Sequence, residues 1–218
     1  MKKIFFVTAS LTFSSVMTFA QVFAEKKYEV GNVKEAPKCF GQGVVAFTVG
    51  YGYPSWGQVY FNLEAVSYGL DTYDNYTPKG MGPLHFKGEI GLSKFIGMGI
   101  SVNYETYGGK WTKLYYNGIY AENFTVTSLS VMPRFSVHFA TTTQIDPYFG
   151  VGAGYKSTTY KFHSDFPNPD LSWYQEGYFP VSIETTVGLR YYFSDAVGIY
   201  MEMGLAKSLI QGGLAVKL

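Results

Sequence analysis

The sequence has 218 residues, of which 19% are aromatic and 15% are charged, with a formal net charge of +1 at pH 7. This near balance of charges argues against a basic nucleic-acid-binding surface, so no nucleic-acid partner is expected. A mean hydropathy of +0.01 is too low for a bundle of membrane-spanning helices, and the many aromatic residues and 25 glycines are atypical of a disordered chain.

Residues 1–24 have the pattern of a secretory signal peptide. Lys2 and Lys3 give a positive start, a mildly apolar stretch follows, and Val22-Phe23-Ala24 forms a small-x-small cleavage site. Several Ser and Thr residues make the stretch too weakly hydrophobic for a membrane anchor, so we expect cleavage after Ala24. Cys39 is the single cysteine and is interpreted as an unpaired structural thiol.

Residues 25–41 form a short polar segment, which we expect to lie in the periplasm. After it, apolar and polar residues alternate in segments that are separated by turn residues. Most segments are long enough to cross a bilayer at a tilt. The connections after the second, fourth and sixth segments are short, and those after the first, third and fifth are long, which is typical of outer-membrane barrels. The predicted strands are 43–53, 83–93, 97–107, 127–139, 147–157, 180–193, 197–206 and 211–218.

The two faces of these strands differ sharply in charge. One face carries only uncharged, mainly apolar side chains, among them Phe47, Phe86, Ile100 and Val131, with aromatic residues near the strand ends. Lys217 and eight further charged residues lie on the other face: Lys87, Glu89, Glu105, Arg134, Lys156, Glu184, Arg190 and Glu202.

A soluble barrel or sandwich could alternate in the same way, with its charges in water. The charged face is rich in glycine, however, notably at Gly50, Gly52, Gly150, Gly152 and Gly154. Glycine weakens an exposed strand but leaves space in a narrow lumen for long side chains from neighbouring strands. We therefore predict an all-β fold: a closed antiparallel up-and-down transmembrane barrel of about eight strands, occupying residues 42–218.

Pro133 conflicts with this prediction, because it lies in the middle of the fourth strand, where a closed barrel needs every backbone N–H paired. A bulge or a later strand start would remove the conflict.

Three stretches resemble the small eight-stranded outer-membrane barrels of Gram-negative bacteria, the class of the OmpA transmembrane domain, OmpX and OmpW. They are 43–53 (GVVAFTVGYGY), 146–155 (DPYFGVGAGY) and 213–218 (GLAVKL). The resemblance implies an integral outer-membrane protein in contact with outer-membrane lipid and assembled by the barrel-assembly machinery. Members of the class usually end in an aromatic residue that this machinery recognises, whereas this sequence ends in Leu218.

The charged face has two interpretations. Its side chains could form an interlocking set of ion pairs that fills the lumen, or they could line a narrow pore for small solutes or ions. The first is favoured because eight strands leave little room.

An enzyme is not expected. His163-Ser164-Asp165 has the residue types of a hydrolase, but adjacent residues cannot generally converge as nucleophile, base and orienter. His85 and His138 lie too far apart along the barrel for a shared site, so no metal, cofactor or catalytic residue is predicted. A lipid A-modifying enzyme remains a third possibility after the scaffold and the channel.

Three long extracellular loops are predicted over 54–82, 108–126 and 158–179. They are rich in Tyr and Trp, which are favoured contact residues, although the same side chains could pack among themselves or form the outer aromatic girdle. The expected role is therefore envelope structure or surface contact with an unidentified extracellular partner. The loop aromatics are Trp56, Tyr60, Phe61, Tyr68, Tyr73, Tyr76, Trp111, Tyr115, Tyr116, Tyr120, Phe166, Trp173, Tyr174 and Tyr178.

Overall fold

The computed structural model describes residues 38–67, 75–167 and 180–218. The predicted signal peptide, most of the predicted periplasmic segment and parts of the first and third predicted loops lie outside these residues.

Eight strands and one helix follow one another, and the strands close into one barrel in sequence order. Every neighbouring pair is antiparallel, and β1 pairs with β8 to close the ring. The predicted closed up-and-down barrel of eight strands is confirmed. The elements are β1 (Val45–Ser55), α1 (Trp56–Ser67), β2 (Thr77–Gly91), β3 (Ile96–Tyr115), β4 (Gly118–His138), β5 (Ile145–Ser164), β6 (Val181–Tyr192), β7 (Val197–Leu205) and β8 (Ser208–Lys217).

Short turns over 92–95, 139–144 and 193–196 join strands at one end of the barrel, here called the inner end. The longer connections and the tight β7–β8 turn lie at the opposite, outer end. None of the described helical residues forms a helix long and apolar enough to cross a membrane.

The side chains alternate strictly across the barrel wall, as the two-residue period of a strand requires. Most inward side chains are polar and buried, whereas most outward side chains are apolar and exposed, the reverse of a water-soluble barrel. The exposed outward side chains include Phe47, Val49, Tyr51, Phe86, Ile90, Met98, Ile100, Leu129, Val131, Phe135, Val137, Val151, Leu189, Ile199, Met201, Met203, Leu214 and Val216.

The prediction of a second long loop over 108–126 is wrong. β3 continues to Tyr115 and β4 begins at Gly118, so a two-residue turn joins them, with Tyr115 opposite Gly118. Trp111, Thr112 and Val126 belong to the β-branched and aromatic types that favour strands, and the polar residues between them made the segment look like a loop.

The first and third predicted loops also contain regular structure. β2 begins at Thr77 and β5 continues to Ser164, beyond their predicted ends. The helix α1 was not predicted, although Ser55-Trp-Gly-Gln58 has the spacing of a capping box. The Gln58 backbone N–H donates to Ser55 Oγ at 3.2 Å, which caps the first turn of α1.

Pro133 lies within β4 without a bulge or a later strand start. It pairs with Ile100 of β3, and its side chain points outward. On the β5 side, pairing stops at Val131 and resumes at Arg134 in the same register. The ladder therefore omits two residue pairs around the proline and keeps its alignment.

Candidate functional site

The barrel lumen contains buried charges in three tiers, each defined by the residues that bond to one another. The inner tier consists of Glu89, His138, Asp146 and Arg190. The middle tier consists of Lys87, Arg134, Glu184 and Glu202. The outer tier is the pair of Glu105 and Lys207.

In the inner tier, His138 lies between two carboxylates. Its Nδ1 is 2.7 Å from Asp146 Oδ1 and its Nε2 is 3.0 Å from Glu89 Oε1. Since carboxylates only accept hydrogen bonds, both ring nitrogens donate when His138 is an imidazolium. Arg190 pairs with the same two carboxylates. With His138 as an imidazolium, two cations balance two anions in this tier.

The middle tier is centred on the Arg134 guanidinium. Its Nη1 lies 2.7 Å from Glu184 Oε1, and its Nη2 lies 3.1 Å from Glu202 Oε1. Glu202 also pairs with Lys87 and accepts a 2.6 Å hydrogen bond from the Tyr148 hydroxyl. All four charged side chains are buried, so the favourable energy of the tier depends on keeping every charge paired.

The outer tier connects the lumen to α1. Lys207 Nζ donates to Glu105 Oε1 at 2.8 Å and to Ser128 Oγ at 2.6 Å. The other Glu105 oxygen accepts a 2.8 Å hydrogen bond from Ser55 Oγ, the atom that also caps α1. The start of α1 is therefore linked, through Ser55 Oγ, to the ion pair of the outer tier.

Seven of the nine charged residues predicted to face the lumen lie in these tiers. Of the other two, Lys156 is half-buried and forms no ion pair with a residue that the structure describes. Lys217 is half-buried near the inner end, with its ammonium 4.9 Å from the centre of the Tyr192 ring.

Sequence reasoning missed Asp146 and Lys207. Asp146 lies one residue before the predicted start of the fifth strand, in phase with Tyr148 and Gly150, so a strand begun one residue earlier would have included it. Lys207 was assigned to a turn, although it is in phase with the inward-facing Gln211 of β8. A search for charged inward residues also misses Tyr148, because its side chain is uncharged. It is fully buried, and its hydroxyl donates a hydrogen bond to Glu202.

Glycines on the inward face provide space for the charged side chains. A Cβ atom at Gly150 would lie 2.2 Å from Arg134 Nη2, and one at Gly152 would lie 3.0 Å from Glu184 Cγ. Both glycines are on β5, beside β4 and β6, which carry those charges. The glycine-rich strand thus accommodates the guanidinium and carboxylate of the middle tier.

Aromatic side chains cover the outer end of the lumen. Phe61 of α1 stacks on Phe124 of β4, with ring centroids 5.5 Å apart, and both pack with buried Trp111 and Val126. We call these four residues the outer cluster. Tyr76, which packs against the cluster, has its pKa raised by burial. Apolar packing here separates the ion-pair tiers from the outer solution.

Farther out, the buried carboxylate of Glu122 fixes the β3–β4 hairpin to β5. It accepts hydrogen bonds from Trp111 Nε1 at 2.8 Å, from the Tyr115 hydroxyl at 2.6 Å and from Ser164 Oγ at 3.4 Å. Charge-assisted hydrogen bonds of this kind stabilise the part of the β3–β4 hairpin that extends beyond the closed barrel.

Residues 38–44 enter the inner end of the barrel, and we call them the inner plug. Cys39 and Phe40 are both buried, and the Cys39 backbone N–H donates to Thr142 O at 2.8 Å. Burial, aided by the nearby Asp146 carboxylate, raises the pKa of the Cys39 thiol to about 11. The thiol is free and buried, which fits the interpretation of Cys39 as an unpaired structural cysteine.

The remaining histidines, His85 and His163, lie in separate parts of the molecule. His85 bonds to Asn103 and Ser208 within the lumen, at 2.7 and 3.2 Å. His163 and Asp165 are exposed and 3.4 Å apart, whereas Ser164 between them bonds to the buried Glu122. Among the residues described, no group of three His, Cys, Asp or Glu is arranged to hold a metal ion.

No family model and no curated protein matches the sequence. Several solved structures are similar to this chain, among them the following two. The N-terminal β-barrel domain of Pseudomonas aeruginosa OprF is 14% identical, with a TM-score of 0.33, over 82% of this chain and 98% of that domain. Ail, the attachment invasion locus protein of Yersinia pestis, is 12% identical, with a TM-score of 0.31, over 81% of this chain and 96% of its own.

The strand pairing itself establishes the architecture. Eight antiparallel strands close in sequence order around a polar, ion-paired lumen, with an apolar surface outside. The chain is thus a closed, antiparallel, eight-stranded up-and-down barrel.

Proposed function

We propose that this protein is an integral outer-membrane barrel without enzymatic activity, which serves envelope structure and contacts partners at the cell surface. The proposal depends on one observation above all: the lumen is filled by ion-paired tiers and covered at both ends, by the outer cluster and by the inner plug. A barrel closed in this way is a rigid support and not a passage.

The apolar exterior supports the membrane location. Large outward side chains such as Phe47, Ile100 and Phe135 are about half exposed, and hydrocarbon solvates such a surface far better than water does. Export by a signal peptide over 1–24 and assembly by the barrel machinery belong to the same proposal.

Surface contact is assigned to four strands that continue beyond the rest of the barrel. They are residues 77–81 of β2, 106–115 of β3, 118–127 of β4 and 159–164 of β5, here called the protruding sheet. From the level of Tyr104, β3 extends along its axis by on the order of 35 Å, at about 3.3 Å per residue. This sheet replaces the flexible second loop that the sequence suggested.

Shortening the hairpin tests the surface role. In the variant, Trp111 and Glu122 are joined through an Asn-Gly turn in place of residues 112–121. We expect cells that display the variant to lose adhesion to surfaces that the parent binds. Barrel assembly, measured by heat-modifiability, should be the same in the variant and the parent. Equal adhesion of parent and variant would contradict the assignment.

A narrow channel is the second candidate, because several buried polar atoms in the lumen have no hydrogen-bond partner among the described residues. Asn103 Nδ2 and Ser130 Oγ are two of them. Such atoms favour internal water, and a continuous file of water could conduct small ions. Conductance of the folded protein in planar bilayers distinguishes this candidate from the closed scaffold.

A further inference from the structure

The end of the β3–β4 hairpin exposes three apolar side chains. Leu114 is 75% exposed, Tyr116 93% and Ile119 67%. Leu114 and Ile119 are direct cross-strand partners, and Tyr116 lies in the turn beyond them. We call these three residues the hairpin tip. They form an apolar end on a structure that extends away from the barrel.

The hairpin tip is held by packing behind it. Tyr115 stacks on Phe166 with ring centroids 4.0 Å apart, and Tyr120 meets the same ring edge-on at 5.3 Å. The Tyr115 hydroxyl also donates to Glu122. Because the backbone is already ordered, insertion of the tip into a partner costs little conformational entropy.

The surface between the hairpin tip and the barrel is positively charged. Lys79, Lys110 and Lys161 are exposed on the outward face of the protruding sheet. The acid within the protruding sheet, Glu122, is buried, and the exposed described acids next to the sheet are Asp165, which lies 3.4 Å from His163, and Glu64 of α1. This charge pattern complements an anionic surface.

The size of the hairpin tip favours lipid over a protein pocket. A stable protein interface buries about 800 Å² per partner. Even an aromatic side chain buries only about 150–250 Å², so three side chains stay below that area. A lipid surface requires no complementary shape, and it takes Leu and Ile into hydrocarbon and Tyr at the headgroup level.

We propose that the hairpin tip inserts shallowly into the anionic lipid surface of a facing membrane. Lys110 lies four residues behind Leu114 on β3, and Lys79 and Lys161 lie at the level of Gly108, two residues farther back. The inference rests on the proposed surface-contact function and names the chemistry of its partner. The apolar side chains provide the insertion. The lysines, about 13–20 Å behind Leu114 at about 3.3 Å per residue, provide an attraction that is strongest at low ionic strength, where the Debye length is comparable to that distance.

The test uses the full protein in phosphatidylcholine nanodiscs, mixed with separate phosphatidylcholine vesicles that do or do not contain phosphatidylserine. We expect the parent to float with the vesicles that contain phosphatidylserine. The double variant Leu114→Ser/Ile119→Ser should bind at least about tenfold more weakly, because burial of each side chain contributes more than the 1.4 kcal/mol that equals a factor of ten. Leu63→Ser, on α1 and 64% exposed, is the matched control and should bind like the parent.

Insertion has its own spectroscopic signature. The indole introduced by Tyr116→Trp should shift its emission to the blue when anionic vesicles are added and should be quenched by brominated acyl chains. Unchanged binding of the double variant, equal binding of the parent to both kinds of vesicle, or no emission shift would each overturn the proposal.

The variant with the shortened hairpin distinguishes failure of this inference from failure of the proposed surface-contact function. If the shortened hairpin abolishes cell adhesion while Leu114→Ser/Ile119→Ser leaves vesicle binding unchanged, the lipid partner is wrong and surface contact stands. If the shortened hairpin leaves adhesion unchanged, the surface-contact function itself fails.

Discussion

The ring of Phe40 stacks on the imidazole of His138, with the ring centroids 3.4 Å and the planes 7° apart. His138 in turn bonds to Glu89 and Asp146, so the inner plug rests directly on the inner tier of ion pairs. Closure of the inner end and neutralisation of the lumen therefore depend on the same side chain.

Replacement of Phe40 by Ala should loosen the inner plug. Burial of a phenylalanine in a well-packed site stabilises by about 3–5 kcal/mol relative to alanine, and part of that loss should appear as local opening. We expect labelling of the Cys39 thiol by maleimide to accelerate at least about tenfold in Phe40→Ala. Leu92→Ala, an exposed residue near the same end, is the control and should label like the parent.

The pH dependence of Cys39 labelling checks the same packing. Because burial raises the pKa of the thiol to about 11 from its ordinary 9.0, the folded protein has about a hundredfold less thiolate at pH 8 than an exposed cysteine. The labelling rate should keep rising with pH up to about 11, whereas the urea-unfolded protein should level off near 9. A plateau near 9 in the folded protein would show that the thiol is not buried.

Arg134→Ala should destabilise the barrel strongly. The change leaves Glu184 without an ion pair among the described residues. It also removes one of the two cationic partners of Glu202, Lys87 being the other. Loss of one partner of a buried ion pair costs about 3–5 kcal/mol. Urea unfolding in detergent micelles, followed by heat-modifiability, measures the loss. Lys156→Ala should change the free energy of unfolding by about 0.5 kcal/mol or less, because Lys156 is half-buried and forms no described ion pair.

Gly150→Ala tests whether the glycines of β5 provide space for the middle tier. The added methyl group would lie 2.2 Å from Arg134 Nη2, so the guanidinium must move away from Glu184 or Glu202. We expect a loss of about 1–3 kcal/mol in the free energy of unfolding. Gly41→Ala, whose new methyl group has no atom within 4 Å, should be close to neutral. Equal effects of the two changes would argue against a crowded lumen.

Phe61→Ala should loosen the outer end without unfolding the barrel. Phe61 stacks on Phe124 in the outer cluster, and its removal weakens the contact between α1 and the hairpin. Hydrogen exchange should become faster in α1 and in residues 106–127, while exchange in β6 to β8 stays the same. Leu63 lies on the same helix but is 64% exposed, so Leu63→Ala should leave hydrogen exchange in both regions unchanged.

The strand count, the closure and the division of the faces followed from the two-residue alternation of Phe47, Val49 and Tyr51 and of similar runs. These features are local, and lipid outside a closed barrel imposes them along every strand. The outer half of the hairpin was missed, because Lys110, Asn117 and Glu122 interrupt the apolar pattern where the strands leave the wall. There the strands are stabilised by hydrogen bonds from Trp111 and Tyr115 to Glu122 across the hairpin, which the apolar–polar alternation does not reveal.

Sequence also identified most lumenal charges but not their pairing. Alternation tells which side chains point inward, whereas partners such as Lys87 and Glu202 meet across the lumen from strands far apart in the chain. The inner plug was equally hidden, because Cys39 and Phe40 precede the first strand and bond to side chains and backbone of other strands.

The central claim, that the lumen is closed, is tested most directly by single-channel conductance of the purified, heat-modifiable protein in planar bilayers. The parent is expected to insert and stay electrically silent, because ion pairs, the outer cluster and the inner plug block the path. Discrete, reproducible openings of the parent that change in Arg134→Ala and Arg190→Ala would contradict the closed scaffold and establish a lumenal pathway.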